Sequence, residues 1–471
     1  MIIFSRLFYC RLLLGLLALT VFSVNAAPLP RDIQQLAKKH RIRTDKIGIV
    51  IQRVGDDKPL LSYQAEKAFN PASAVKIFTT VAAIDLLGHA HRWETTFAHT
   101  GAIKDGILQG DLYLIGSGDP QITLENFFLL LHDLRNRGLH TINGQLVIDN
   151  TFFNLPPHIA SAFDGAPLKS YNAGAGALAV NFNAQQIVLQ PQEKKIHVYV
   201  DPPNDNIVID NQLRPGKGRC SSWRNKIRER YLGNETRITV SLKGIFPPRC
   251  GQQSFYISAL SHEANAAGVF GALWKQLGGK WNGQWRIEKV PPTAVTLTVF
   301  ESPPLSQAIT SMNKFSNNVI ARNLFLSLAD SNTSRTLATA REAFHQWAAE
   351  RGISGGGFFV DNGSGLSRQT RVQPAQIAIL LQYLWAHPLR AEMIASLPVL
   401  GIDGTLRKRL KKLPMQGHLK TGSLAAVKSI AGFLRDEAGQ DILFICLTEE
   451  QNNNQAKQFQ DSLMKWARRQ P

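Results

Sequence analysis

The stretch NPASAVKIFTTVAAIDLLG, Asn70 to Gly88, constrains the fold more than any other part of this 471-residue chain. It reads as a helix from Ser73 to Leu87 that is apolar on nearly every side, so it must run through a core with other elements packed around it. Its first half carries a single charged group, Lys76, three residues after Ser73. A buried lysine needs a partner or a use, because taking an ammonium out of water is costly.

Residues three apart share a helix face, so Ser73 and Lys76 can touch. Pro71 helps place Ser73 in the first turn, where free N–H groups and the helix dipole favour developing negative charge. Apolar surroundings favour the neutral amine, which could then take the Ser73 proton: an activated nucleophile without histidine. Spacing alone does not select this pair, since Ser311 with Lys314 and Ser462 with Lys465 repeat it. The helix context does.

A chain of this length buries a large core and divides into two or more domains. Residues 1–26 read as a secretory signal peptide, with Arg6 and Arg11 ahead of an apolar run and a small-residue cleavage site at Val24-Asn25-Ala26, which puts the mature protein in the periplasm. Cys10 lies inside that run, and no later stretch is apolar for long enough to span a bilayer. The formal charge of +18 falls to +16 without Arg6 and Arg11. In a secreted protein it argues against nucleic acid as partner; an anionic membrane leaflet or cell wall fits it, and so does a dispersed soluble basic surface. Cys220 and Cys250 sit in loop-like contexts and could pair in an oxidising compartment, whereas Cys446 alternates into an apolar strand as a buried thiol.

From about Arg92 to Val299 the chain reads as many short strands broken by Gly, Asn, Asp and Pro. Helical patterning returns in LSQAITSMNKFSNNVIARNLFLSLAD, RTLATAREAFHQWAAERG and QPAQIAILLQYLWAH, and three hairpin-spaced strands and an amphipathic helix close the chain. The expected organisation is an α+β catalytic domain from residues 27–91 and 300–471, with a β-rich domain, 92–299, inserted between. The last helix is expected to pack on the sheet rather than on a membrane.

Two further elements follow Ser73 in order. Ser316-Asn317-Asn318 supplies a hydroxyl and an amide on the returning helical block, though Ser311-Met-Asn313 and Ser170-Tyr-Asn172 also fit Ser-x-Asn. Lys420-Thr421-Gly422, followed by Ser423, ends a strand and occurs once; a cation beside hydroxyls suits an anionic substrate terminus. Ser-x-x-Lys, Ser-x-Asn and Lys-Thr-Gly in this order resemble the penicillin-recognising serine enzymes, and the contexts GDLYLIGSGDP, NKFSNNVIARNL, DNGSGLSR, GIDGTLRKR and HLKTGSLAAVKSIAGFL are most similar to the D-alanyl-D-alanine carboxypeptidase/endopeptidases, the class C low-molecular-mass penicillin-binding proteins. Two departures stand out: SNN where many relatives have SDN, and Arg322 where an acidic residue often follows.

The resemblance implies a β-lactamase/transpeptidase-like fold with a β-rich domain between the first and second motifs. It implies a serine-type D-Ala-D-Ala carboxypeptidase, with D,D-endopeptidase activity left open beside it, that acts on peptidoglycan stem peptides and is covalently acylated by β-lactams. By the same carry-over Ser73 is the acylated nucleophile, Lys76 its base, Ser316 a proton relay and Asn318 the residue orienting Lys76. Lys420 and Thr421 would hold the terminal carboxylate, with the backbone N–H groups of Ser73 and Ser423 as oxyanion hole. Ser364 and Arg368 in DNGSGLSR are weaker candidates for substrate contact, against a reading in which the segment is a Gly-rich turn that satisfies its own backbone. No metal or cofactor is expected: His262-Glu263 lacks the second histidine of a zinc helix, since Ala266 stands there. A β-lactamase and a non-catalytic wall-binding protein are the competing readings.

Overall fold

The computed structural model describes residues 28–470, so the expected signal peptide and Cys10 lie outside the described residues. A five-stranded antiparallel sheet organises the catalytic half, in the order Gly417–Leu424, Val427–Arg435, Asp441–Thr448, Ile47–Arg53, Leu61–Tyr63. Ile47–Arg53 is buried along nearly its whole length, as a strand covered on both faces must be. On one face lie helices Arg31–Lys39 and Asn453–Arg468, whose Ile33, Ala37, Phe459 and Leu463 meet Ile49, Ile430 and Phe444. The C-terminal helix thus packs on the sheet as its amphipathic pattern predicts. On the other face Lys76–Leu87 runs through a core shared with Leu305–Phe315, Asn318–Ser327 and Pro374–Ala386.

Trp93 and Ser302 exchange two hydrogen bonds between their main chains and the Ser302 hydroxyl, and Glu94–His99 pairs with Val295–Glu301. The intervening chain therefore leaves and rejoins at one neck. Among the described residues it carries hydrophobic clusters of its own, two large and one small. Strand-rich texture is confirmed there, but two helices interrupt it, Leu124–Asn136 and His262–Gln276, capped by the hydroxyls of Thr123 and Ser261. The second is buried on all sides and holds Gly268, where a Cβ would lie 1.9 Å from Asn204 Oδ1, so close approach of the neighbouring loop overrides glycine's poor helix propensity.

Cys220 and Cys250 form a disulfide, and the Cys446 thiol is buried and pushed up to about 12 by desolvation, which makes it inert. Among the described residues no helix is long and apolar enough to cross a membrane.

Candidate active site

The apolar helix starts as a tight turn, Ala72–Val75, before the regular helix Lys76–Leu87. Ser73 stands in that turn and Lys76 at the head of the helix, fully buried. Lys76 Nζ lies 3.2 Å from Ser73 Oγ, 2.8 Å from Asn318 Oδ1 and in close contact with the carbonyl oxygen of Ser364. A neutral amine has two N–H bonds and one lone pair. The two carbonyl oxygens are acceptors only, so they take both N–H groups and leave the lone pair to Ser73. Burial holds the Lys76 pKa well below the ordinary lysine range, helped by the positive charges of Lys420 and Arg322.

Asn318 is placed by a break in the helical block that the sequence reads as continuous. Leu305–Phe315 ends at Ser316, in the left-handed region at φ +58°, and Asn318–Ser327 begins anew with the Asn317 side chain accepting from the Val319 and Ile320 N–H groups. A left-handed serine costs about 1 kcal/mol, and here it turns the hydroxyl toward the third motif. Lys420 Nζ donates to Ser316 Oγ at 3.0 Å and to its neighbour's carbonyl, Thr421 O, at 2.9 Å. Lys420 is fully buried too, and desolvation pushes it down to about 7.

Thr421 Oγ1 lies 2.8 Å from Thr405 Oγ1, and Ser423 Oγ accepts from Lys428 at 3.2 Å. Between them Gly422 touches the turn that carries Ser73. A Cβ there would lie 2.6 Å from Pro71 O and 2.8 Å from Ser73 N, against backbone that cannot swing aside. Gly422→Ala is therefore expected to push the strand off the Ser73 amide, lower the rate of acylation about a hundredfold or more, and cost about 1–3 kcal/mol of stability. Stopped-flow acylation and thermal melts on the variant check this.

The DNGSGLSR segment corrects one expectation. The Ser364 side chain is fully buried and its hydroxyl is spent inside the turn, donating to Asn362 Oδ1 at 2.7 Å and accepting from the Leu366 N–H at 3.2 Å. It is closed to substrate, and the residue meets the site through its carbonyl oxygen instead. Arg368 is exposed at the rim, over the Phe163 ring at 4.8 Å.

Sequence reasoning missed what comes from the inserted segment. Asn318 Nδ2 donates to Tyr171 O at 2.9 Å, and the Arg322 guanidinium, brought down to about 10 by burial, donates to Ala173 O. Tyr171, within the Ser170-Tyr171-Asn172 segment that also fits Ser-x-Asn, thus braces the asparagine that bonds Lys76. One turn on, Asn323 bonds the Gly118 and Gly176 carbonyl oxygens and fixes the same helix to the insertion.

Known proteins resemble this chain over nearly its whole described length. A family profile described as the D-Ala-D-Ala carboxypeptidase 3 (S13) family matches residues 29–470. The D-alanyl-D-alanine carboxypeptidase DacB of Haemophilus influenzae is 26% identical over 416 residues, covering 85% of this chain and 84% of that one. The crystal structure of penicillin binding protein 4 from Haemophilus influenzae superposes with a TM-score of 0.76 at 22% identity, over 93% of this chain and 100% of that chain. A structure of the same protein in complex with a β-lactam gives 0.72 at 23% identity, over 92% and 99%. The fold is the one that the motifs imply.

Proposed function

The chain belongs to the D-Ala-D-Ala carboxypeptidase 3 (S13) family and is a serine-type D-Ala-D-Ala carboxypeptidase, and from that premise we propose how its residues divide the work. Ser73 Oγ attacks the carbonyl carbon of the penultimate D-Ala while Lys76 Nζ takes its proton. The backbone N–H groups of Ser73 and Ser423 stabilise the oxyanion, and the tetrahedral intermediate collapses to an ester on Ser73 as D-Ala leaves. Ser316, which accepts from Lys420, passes a proton to the leaving amine. Lys420 and Thr421 hold the terminal carboxylate. Water then hydrolyses the ester.

The observation that carries this reading is the pair of carbonyl oxygens on Lys76, which orient its lone pair at Ser73. Stem peptides of peptidoglycan are the substrate, and β-lactams acylate the same serine. The leader-like residues 1–26 and the Cys220–Cys250 disulfide support a periplasmic location. The test is D-Ala release from a soluble pentapeptide together with mass spectrometry of the penicillin-treated protein. Release with a long-lived adduct is expected; rapid turnover of the adduct would make the protein a β-lactamase instead.

The two lysines also set a pH dependence. The base works as the neutral amine, so activity is lost as pH falls through the depressed Lys76 pKa. The carboxylate clamp works as the ammonium, so activity is lost as pH rises through that of Lys420, about 7 in the free enzyme. A bell-shaped kcat/KM profile is expected, its alkaline limb starting near pH 7 and falling about tenfold per unit. A profile flat through that limb would contradict the clamp.

A further inference from the structure

Two pieces of sequence are left over once the three motifs are placed. Lys314 ends the second Ser-x-x-Lys spacing, from Ser311, and GIDGTLRKR, residues 401–409, holds no member of any motif. The fold joins them. Lys314 Nζ donates to Asp403 Oδ2 at 2.7 Å and to Leu397 O at 2.7 Å, and Asp403 Oδ1 accepts from the Val399 N–H at 2.7 Å. Gly404 lies against the same lysine, since a Cβ there would be 2.6 Å from Lys314 O. The segment just before is bonded to the strand of the third motif, Leu400 N–H to Gly417 O at 2.9 Å and Leu419 N–H to Pro398 O at 3.0 Å. The loop is thus fixed both to the helix that ends at Ser316 and to the strand that carries Lys420 and Thr421.

The next residue, Thr405, is exposed, and its hydroxyl meets that of Thr421 at 2.8 Å. Two hydroxyls in contact share one proton and leave the other free. If Thr421 gives the shared proton, it offers a substrate only lone pairs, which suit an N–H donor. If Thr405 gives it, Thr421 keeps its own proton for an acceptor, and a hydroxyl that accepts one hydrogen bond is a stronger donor of the next. A carboxylate accepts only. While the two hydroxyls stay in contact, Thr421 can donate to a terminal carboxylate only if Thr405 supplies the shared proton.

Resting on the reading of Lys420 and Thr421 as the carboxylate clamp, we propose that Thr405 is a positioning residue for that clamp. Held in place through Lys314 and Asp403, it turns Thr421 into a donor and so favours peptides that end in a free carboxylate over the same peptides ending in a carboxamide.

The test compares kcat/KM for release of D-Ala from the soluble pentapeptide with that for release of D-alaninamide from the same peptide amidated at its C-terminus. The wild type should prefer the acid. Thr405→Val keeps the shape of an exposed side chain and deletes its hydroxyl; it should lower the acid-to-amide ratio about fivefold, the loss of one hydrogen bond. Thr405→Ser should restore the ratio. A loop that merely supports the fold would lower both rates together, so an unchanged ratio in Thr405→Val would overturn the inference whether both rates fall or neither does. Thr421→Val separates this from failure of the clamp. If Thr421→Val shrinks the ratio and Thr405→Val does not, the clamp stands and the role of Thr405 falls. If Thr421→Val itself leaves the ratio as in the wild type, the clamp reading falls and the inference falls with it.

Discussion

Ser73→Ala is expected to abolish both covalent labelling by penicillin and release of D-Ala from a pentapeptide, a loss of about 10^4-fold or more. In the proposed mechanism its hydroxyl is the atom that becomes the ester oxygen, and no described hydroxyl beside it is free to substitute. Ser364 Oγ is shut inside its turn, and Ser316 Oγ is held by Lys420. The substitution removes one oxygen at the head of a well-packed helix, so the melting temperature should barely move. Ser170→Ala, by contrast, should retain activity. Labelling of Ser73→Ala at the wild-type rate would remove the nucleophile from Ser73.

Lys76→Met comes next in size. Methionine keeps most of the volume of the buried chain and deletes only the amine, so packing is largely preserved. Acylation should slow by about 10^3-fold, in the range for loss of a positioned general base, while the dissociation constant for the non-covalent penicillin complex stays close to wild type. The diagnostic is pH. The acid limb of the wild-type profile should vanish from the residual activity, because the group that titrated is gone. A residual rate with the same acid limb would assign the proton acceptor elsewhere.

What the sequence made legible were the elements whose chemistry resides in side chains. Lys76 contacts Ser73 and Asn318, and Lys420 contacts Ser316; all five stand in the ordered motifs, which are readable because they are patterns of side-chain functional groups. The parts that stayed hidden are main-chain atoms. The Ser364, Tyr171 and Ala173 carbonyl oxygens hold Lys76, Asn318 and Arg322, yet every residue has such an oxygen and its position is a property of the turn. The break at Ser316 was hidden for a related reason. Helical periodicity resumes at once on its far side, and only the Asn317 cap, a plausible reading of SNN, marks the interruption. Helix His262–Gln276 escaped because its glycines argue against a helix until the loop they admit is seen.

The strand order of the catalytic sheet has a consequence for the timing of activity. Ile47–Arg53 lies between Asp441–Thr448 and Leu61–Tyr63, so the sheet cannot close until the last strands are made. Ser73 leaves the ribosome early, but Asn318 follows it by about 245 residues and Lys420 by still more. At ordinary synthesis rates that interval is on the order of tens of seconds. Throughout it the nucleophile has neither its braced base nor its carboxylate clamp. In the proposed mechanism the hydrolase becomes competent only once all three motifs have been made and packed together.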